Sequence, residues 1–225
     1  MPVFYDDIAG KHTGRLANLS DSIFGVAMTL LVLEVHLPAG YIETERDLWR
    51  ALVALGPRFL VYFMSFLTLG IFWNAQQEQL VRLARGDRNL TWIHIAFLAT
   101  VAVTPFSTAL EENFMHLRVA LAVFWLNLLL LGLTLWASWR YATAHGLLRK
   151  DVSYQVQRAI EFRLILAQAL YAAGFALCVF STLWSIAAIV LVQLVFAIGP
   201  TIRWLRRQGP LGRGDPHRDR FDVAS

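Results

Sequence analysis

The sequence predicts an all-α integral membrane protein: six transmembrane helices per subunit, with N- and C-termini on the cytoplasmic side. Three observations carry that expectation. Of the 225 residues, 57% are hydrophobic and 16% charged, against roughly 45–50% and about 25% in soluble domains. The apolar residues gather in blocks close to the ~20-residue length that crosses a hydrocarbon core. Basic residues fall almost wholly on alternate sides of those blocks, as the positive-inside rule requires.

The expected spans are Asn18–Leu37, Ala51–Trp73, Trp92–Ala109 and Val119–Trp139. The second is interrupted by Gly56, Pro57 and Arg58. Residues 164–202 then contain no Asp, Glu, Lys or Arg. As one helix they would reach nearly twice the ~30 Å hydrocarbon thickness at ~1.5 Å per residue. They should therefore reverse near Ser181 and Thr182, giving spans over Leu164–Phe180 and Leu183–Gly199.

Six crossings put 16 Lys and Arg on the side that holds both termini and 3 on the other, with Arg58 left near a span start. A single crossing over 164–202 would destroy that asymmetry. Trp49, Trp73, Trp92, Trp139 and Trp204 stand near span ends, where amphipathic rings suit the headgroup layer. Residues 1–208 make one six-helix membrane domain. Residues 209–225, rich in Gly, Pro and charge, read as a disordered cytoplasmic tail. Asp6, Asp7 and the lack of an early apolar core argue against a removed leader, so the first block stays as a helix.

Several function classes are disfavoured. There is no HExxH, no phosphate-binding GxxxxGK[ST], no GxSxG and no Cys/His cluster at zinc spacing, so an enzyme is not expected and neither is a cofactor. The single cysteine, Cys178, has no partner for a disulfide. The net charge of +4 comes from residues flanking the spans, which points to membrane topology rather than to nucleic acid.

The first span is the unusual one. Asp21 lies one turn into it, and an acid there is costly without a partner or a watery cavity; Arg15 is the nearest basic candidate. Gly25, Ala27 and Thr29 are small residues of the kind that let helices approach closely. Val26, Leu30 and Leu33 recur at i, i+4 and i+7, a narrow apolar stripe with the Thr29 hydroxyl beside it. Such a stripe suits the lining of a symmetry axis. The plain alternative is a lipid-facing helix with Arg15 as a topology charge and Ser20 or Asp21 as a cap.

The run Arg15, Leu19, Ser20, Asp21, followed by Thr29-Leu-Leu-Val-Leu33-Glu34, resembles the first-helix signature of the transmembrane protein 175 family of potassium channels, in its single-repeat bacterial form. The family pattern is Arg-x-x-x-Phe-Ser-Asp, and Leu19 stands here where Phe is usual. Weaker likeness continues through Phe72-Trp73, Asp87-Arg88 and Thr104-Pro105-Phe106-Ser107-Thr108, over about the first half of the chain. Gln76 and Gln77 replace histidines common in the family, and His94 replaces an Asn.

The resemblance implies a homotetramer in the cytoplasmic membrane of a bacterium, in contact with lipid, with four first helices around one pore and potassium as the permeant ion. It places the constriction at Val26, with further layers at Leu30 and Leu33. Thr29 becomes the residue associated with potassium preference, and Arg15, Leu19, Ser20 and Asp21 become a bracing network behind the pore. An apolar neck offers an ion no substitute for its water, so it closes by dewetting and conducts when widened. Glu34 is a candidate for the outer mouth, with Glu43, Glu45 and Asp47 in the following loop. The alternative from another class is a proton-coupled secondary transporter with Asp21 or Glu34 as its titrating group. Arg58 is expected to snorkel to the outer interface, and Gln168 and Gln193 to hydrogen-bond between helices.

Overall fold

The computed structural model describes residues 3–36, 43–114 and 116–207, with side chains over 14–36, 43–114, 116–182 and 184–197. It is all helical: α1 (Val3–Leu33), α2 (Glu45–Ala54), α3 (Gly56–Leu80), α4 (Arg88–Asn113), α5 (Arg118–Ala144), α6 (Tyr154–Ala176) and α7 (Thr182–Arg207). Among the described residues, five helical segments are long and apolar enough to cross a membrane: Gly14–Leu33, Gly56–Leu80, Arg88–Asn113, Arg118–Ala144 and Tyr154–Val179. The protein is thus a multi-pass membrane protein. The tail expected over 209–225 lies outside the described residues.

Two boundaries differ from the sequence expectation. Residues 51–54, read as the start of the second span, belong to α2, a short surface helix with no buried residue. Thr44 caps it through the Asp47 amide, and Glu45 and Asp47 occupy its first turn, where acids complement the amide dipoles. A fresh helix, α3, starts at Gly56 with Pro57 in its first turn, where a missing N–H costs nothing. At the other end, α4 runs past Ala109 to Asn113, carrying Glu111 and Glu112 into the packed interior.

Residues 164–202 do double back. A single 3-10 turn at Leu177–Val179 ends α6, and α7 begins at Thr182. The two helices meet at Gly174, where an added Cβ would stand 3.2 Å from Ile189, and the Ser185 hydroxyl donates to the Gly174 carbonyl at 2.7 Å. A second close approach occurs at Gly132 of α5, which is covered by the Gln168 side chain of α6.

The core runs between α1, α3, α4 and α5, with Phe24, Leu31, Met64, Phe97, Leu121, Phe124, Leu128 and Leu131 essentially inaccessible. α1 packs on α3 and α4, α4 on α5, α5 on α6, and α7 on α3 and α6. At one end the α3–α4 and α5–α6 loops are clipped together: the Ala84 amide donates to the Leu147 carbonyl at 2.8 Å and the Arg149 amide to the Arg82 carbonyl at 2.9 Å.

Candidate functional site

Helix α1 has two unlike faces. Leu16, Ser20, Phe24, Ala27 and Leu31 recur at helical spacing and are buried against α3 and α4, with the Phe24 and Phe97 rings 6.0 Å apart. The other face is uncovered: Leu19 is 43% exposed, Val26 59%, Leu30 42% and Leu33 64%. Ser22 and Thr29 share that face, their hydroxyls turned back onto the Asn18 carbonyl at 2.9 Å and the Val26 carbonyl at 2.8 Å. At 100° per residue, Leu19 and Leu33 lie within about 20° of Val26, so they form one line along the helix.

The buried face is fastened by polar groups. The Gln76 amide donates to the Ser20 hydroxyl at 2.6 Å, and that hydroxyl donates to the Leu16 carbonyl at 2.8 Å. One oxygen of Asp21 accepts from both the Trp73 indole at 2.8 Å and the Gln77 amide at 2.7 Å. The expected partner of Asp21 was Arg15, which sits elsewhere. Six residues turn a helix about 240° past its start, so the two side chains leave α1 on different faces. Among the described residues Arg15 makes no ion pair. Leu19 joins the uncovered stripe. Of the four residues expected to brace the helix, the structure brings Ser20 and Asp21 onto α3 and leaves Arg15 and Leu19 apart from them.

Of the three small residues expected to let α1 approach its neighbours closely, only Ala27 is buried. A Cβ on Gly25 would meet nothing within 4 Å, and Thr29 is exposed. Of the expected interfacial tryptophans, Trp139 is buried and donates to the Gln157 carbonyl at 3.3 Å, while Trp73 stays exposed as it donates to Asp21. Trp49 and Trp92 are exposed, and the side chain of Trp204 lies outside the described residues.

At the far end of α1 stands a cluster that sequence reasoning missed. Arg58, expected to snorkel, instead donates to the His36 carbonyl at 2.8 Å and lies 3.8 Å from the buried Glu112 carboxylate. Glu111 is fully buried, and neither of its oxygens has a partner among the described residues. Glu34 is half-buried nearby, its backbone carbonyl met by the His36 ring at 2.6 Å. The signal was present: Glu111 and Glu112 continue the Thr104, Ser107, Thr108 spacing by one more turn of the same face.

Polar pairs tie the remaining helices together. Gln193 donates to Thr68 at 2.6 Å, Thr108 to Ser65 at 2.8 Å and Asn127 to Thr104 at 2.9 Å. Gln168 reaches the Leu128 carbonyl at 3.4 Å, so both glutamines bridge helices as expected. Among the described residues no group of His, Cys, Asp and Glu could hold a metal ion.

The model of the family described as "Endosomal/lysosomal potassium channel TMEM175" matches residues 15–105, the stretch that holds the apolar part of α1, its anchors on α3 and most of α4. A potassium channel of Streptomyces collinus is 31% identical over 191 residues, covering 83% of this chain and 92% of its own. The chain belongs to the TMEM175 family. A potassium channel of Chamaesiphon minutus is 29% identical over 84% of this chain and 95% of its own. The crystal structure of a homologue of the lysosomal potassium-selective channel TMEM175 from Chamaesiphon minutus matches with a TM-score of 0.72 at 27% identity, covering 84% of this chain and 97% of that one. The human TMEM175 protein, called an endosomal/lysosomal proton channel, is 32% identical over 41% of this chain and 20% of its own length. TMEM175 relatives are ion channels, not enzymes. Similarity to the bacterial potassium channels covers more than four-fifths of this chain, well past the first half over which the motif likeness runs.

Proposed function

We propose that this protein is the subunit of a potassium-permeable channel of the bacterial cytoplasmic membrane, crossing the bilayer six times with both termini inside, in which four copies of α1 surround one pore. The observation that carries this proposal is the line Leu19, Val26, Leu30, Leu33, left uncovered on a helix whose opposite face is anchored to α3 and α4. The hydroxyls of Ser22 and Thr29 lie on that same face and, in a pore wall, can exchange their bonds to the helix carbonyls for water or a passing ion.

Val26 forms the constriction in this proposal, with Leu30 and Leu33 as further apolar layers, Thr29 as the selectivity-associated hydroxyl and Glu34 at the outer mouth. The neck closes by dewetting. Valine is shorter than Ile or Leu, so the closed neck is wider than one lined by either. The basic-residue asymmetry and the length of 164–202 support six crossings.

The test is planar-bilayer recording of the purified protein under potassium, sodium and proton gradients. Currents should reverse near the potassium potential. Val26→Asn should raise conductance several-fold by wetting the neck, and Thr29→Val should move the reversal potential toward zero under a potassium–sodium gradient. Conductance and reversal potential unchanged by both substitutions would remove α1 from the pore. Reversal that follows the proton gradient alone would replace potassium with protons as the permeant ion.

A further inference from the structure

Away from α1, the last turns of α5 and the first turns of α6 diverge and leave a cleft of about 430 Å³. Its walls include Trp139, Arg140 and Thr143 from α5, and Tyr154, Arg158 and Glu161 from α6. It lies where one span ends and the next begins, hence at headgroup depth. The same end of the bundle carries Arg82, Arg85, Arg149 and Lys150 on the two loops that are clipped together.

Both guanidiniums in the cleft are held in place by aromatic rings. Arg140 stands 5.9 Å from the Trp136 ring centre. Arg158 stands 5.7 Å from that of Tyr154 and donates to its hydroxyl at 3.0 Å. Glu161 takes one edge of Arg140 at 3.4 Å, so two cations face one acid and the cleft keeps a net positive charge. An arginine has five N–H donors in a planar fork that matches phosphate oxygens. Glu161 and Tyr154 use one from each arginine and leave the rest to a ligand.

A second feature selects a lipid over a soluble phosphate. One turn and two turns deeper than Arg158, the same side of α6 presents Phe162, 65% exposed, and Ile165, 52% exposed, with Leu166 beside them. From the cleft onward this side of α6 thus passes from cationic to apolar in the direction of the bilayer interior, as a phospholipid does from phosphate to acyl chain. We propose that this cleft binds an anionic phospholipid, its phosphodiester group clasped by Arg140 and Arg158 and its acyl chains laid on the Phe162 and Ile165 face. Placement in the cytoplasmic leaflet rests on the inward orientation proposed above; the site itself does not.

The test is native mass spectrometry of the full-length protein in detergent, equilibrated with phosphatidylglycerol or phosphatidylcholine of matched chains. Wild type should retain the anionic lipid preferentially. Arg140→Gln and Arg158→Gln should each weaken retention about fivefold, and together roughly 30-fold, the factors expected for basic charges at an anionic lipid surface. Arg85→Gln, on the same rim but outside the cleft, should leave it unchanged, and glycerol phosphate at millimolar concentration should not displace the lipid. Equal retention of the two lipids, or equal losses in the Arg85 and cleft variants, overturns the proposal. Displacement by glycerol phosphate overturns the lipid in favour of a soluble phosphate ligand. Arg158 is exposed, so Arg158→Gln alone decides the matter if the double variant fails to assemble.

Discussion

Replacing Asp21 separates two roles that one carboxylate in a membrane span can play. A proton-coupled transporter that titrates Asp21 rather than Glu34 needs that carboxylate to gain and lose its charge, and Asp21→Asn then abolishes flux. In the structure the carboxylate acts as an acceptor: one oxygen takes N–H groups from Trp73 and Gln77 at 2.8 and 2.7 Å. An Asn side chain carries an amide oxygen in the same place, so both bonds survive and only their charge assistance is lost, less than ~1 kcal/mol on an exposed group. Asp21→Leu removes both bonds. Interhelical hydrogen bonds in membranes average ~0.6 kcal/mol with a maximum near 1.7, so the leucine variant should lose about 1–3 kcal/mol and loosen α1 from α3. The assay pairs single-channel recording with thermal unfolding in detergent. Asp21→Asn should keep near-normal currents and stability, while Asp21→Leu should unfold earlier and gate irregularly. A stable, assembled Asp21→Asn protein that passes no current would refute the bracing role and restore the titrating one.

Two further substitutions test the packing. Arg58→Met leaves the buried Glu112 without its cation and, the arginine being partly exposed, should cost about 1–3 kcal/mol; Glu112→Met added to the same chain should recover the part due to the stranded carboxylate, though not the lost bond to the His36 carbonyl. Chemical denaturation in detergent measures both, and a double variant as unstable as the single would show that the pair does not hold this end together. Gly132→Ala puts a Cβ 1.7 Å from the Gln168 amide nitrogen, so that side chain must swing off the Leu128 carbonyl. A loss of about 1 kcal/mol is expected, relieved by Gln168→Ala; a loss that persists would mean the backbone, not the glutamine, is what the glycine accommodates.

Much of the architecture was legible because apolar runs and arginine placement report directly on what lipid tolerates. The reversal near Ser181 followed from length alone, and the structure turns there. The boundary between α2 and α3 was missed because residues 51–54 are as apolar as the span that follows, and hydropathy does not register a change of helix axis. The end of α4 was missed for the opposite reason. Glu111 and Glu112 look like the end of an apolar run, yet the helix continues because Glu112 turns inward to Arg58, a partner 54 positions earlier. Asp21 was recognised as needing a partner, but the one chosen was near in sequence and not in space. Its donors, Trp73 and Gln77, lie one turn apart on a second helix, which no spacing within α1 can reveal. The stripe over Val26, Leu30 and Leu33 is legible from helical spacing, whereas Leu19 joins it only in the structure, where all four side chains are left uncovered.

The three attachments of α1 bear on how such a pore can open. Ser20 and Asp21 are hydrogen-bonded to α3, Phe24, Ala27 and Leu31 are packed into the core, and beyond the helix end the His36 carbonyl is held by Arg58, which also meets Glu112 of α4. Rotating α1 alone by enough to turn Val26 off a central axis would break all three, several kcal/mol by the magnitudes above. Moving α1, α3 and α4 together breaks none of them within the protomer. If α1 lines the pore as proposed, the neck therefore widens by displacement of whole subunits. Cross-linking α1 to α3 within a subunit, by cysteines placed at the Ser20–Gln76 contact, should then leave gating intact. A cross-linked channel locked shut would show that α1 moves against its own scaffold.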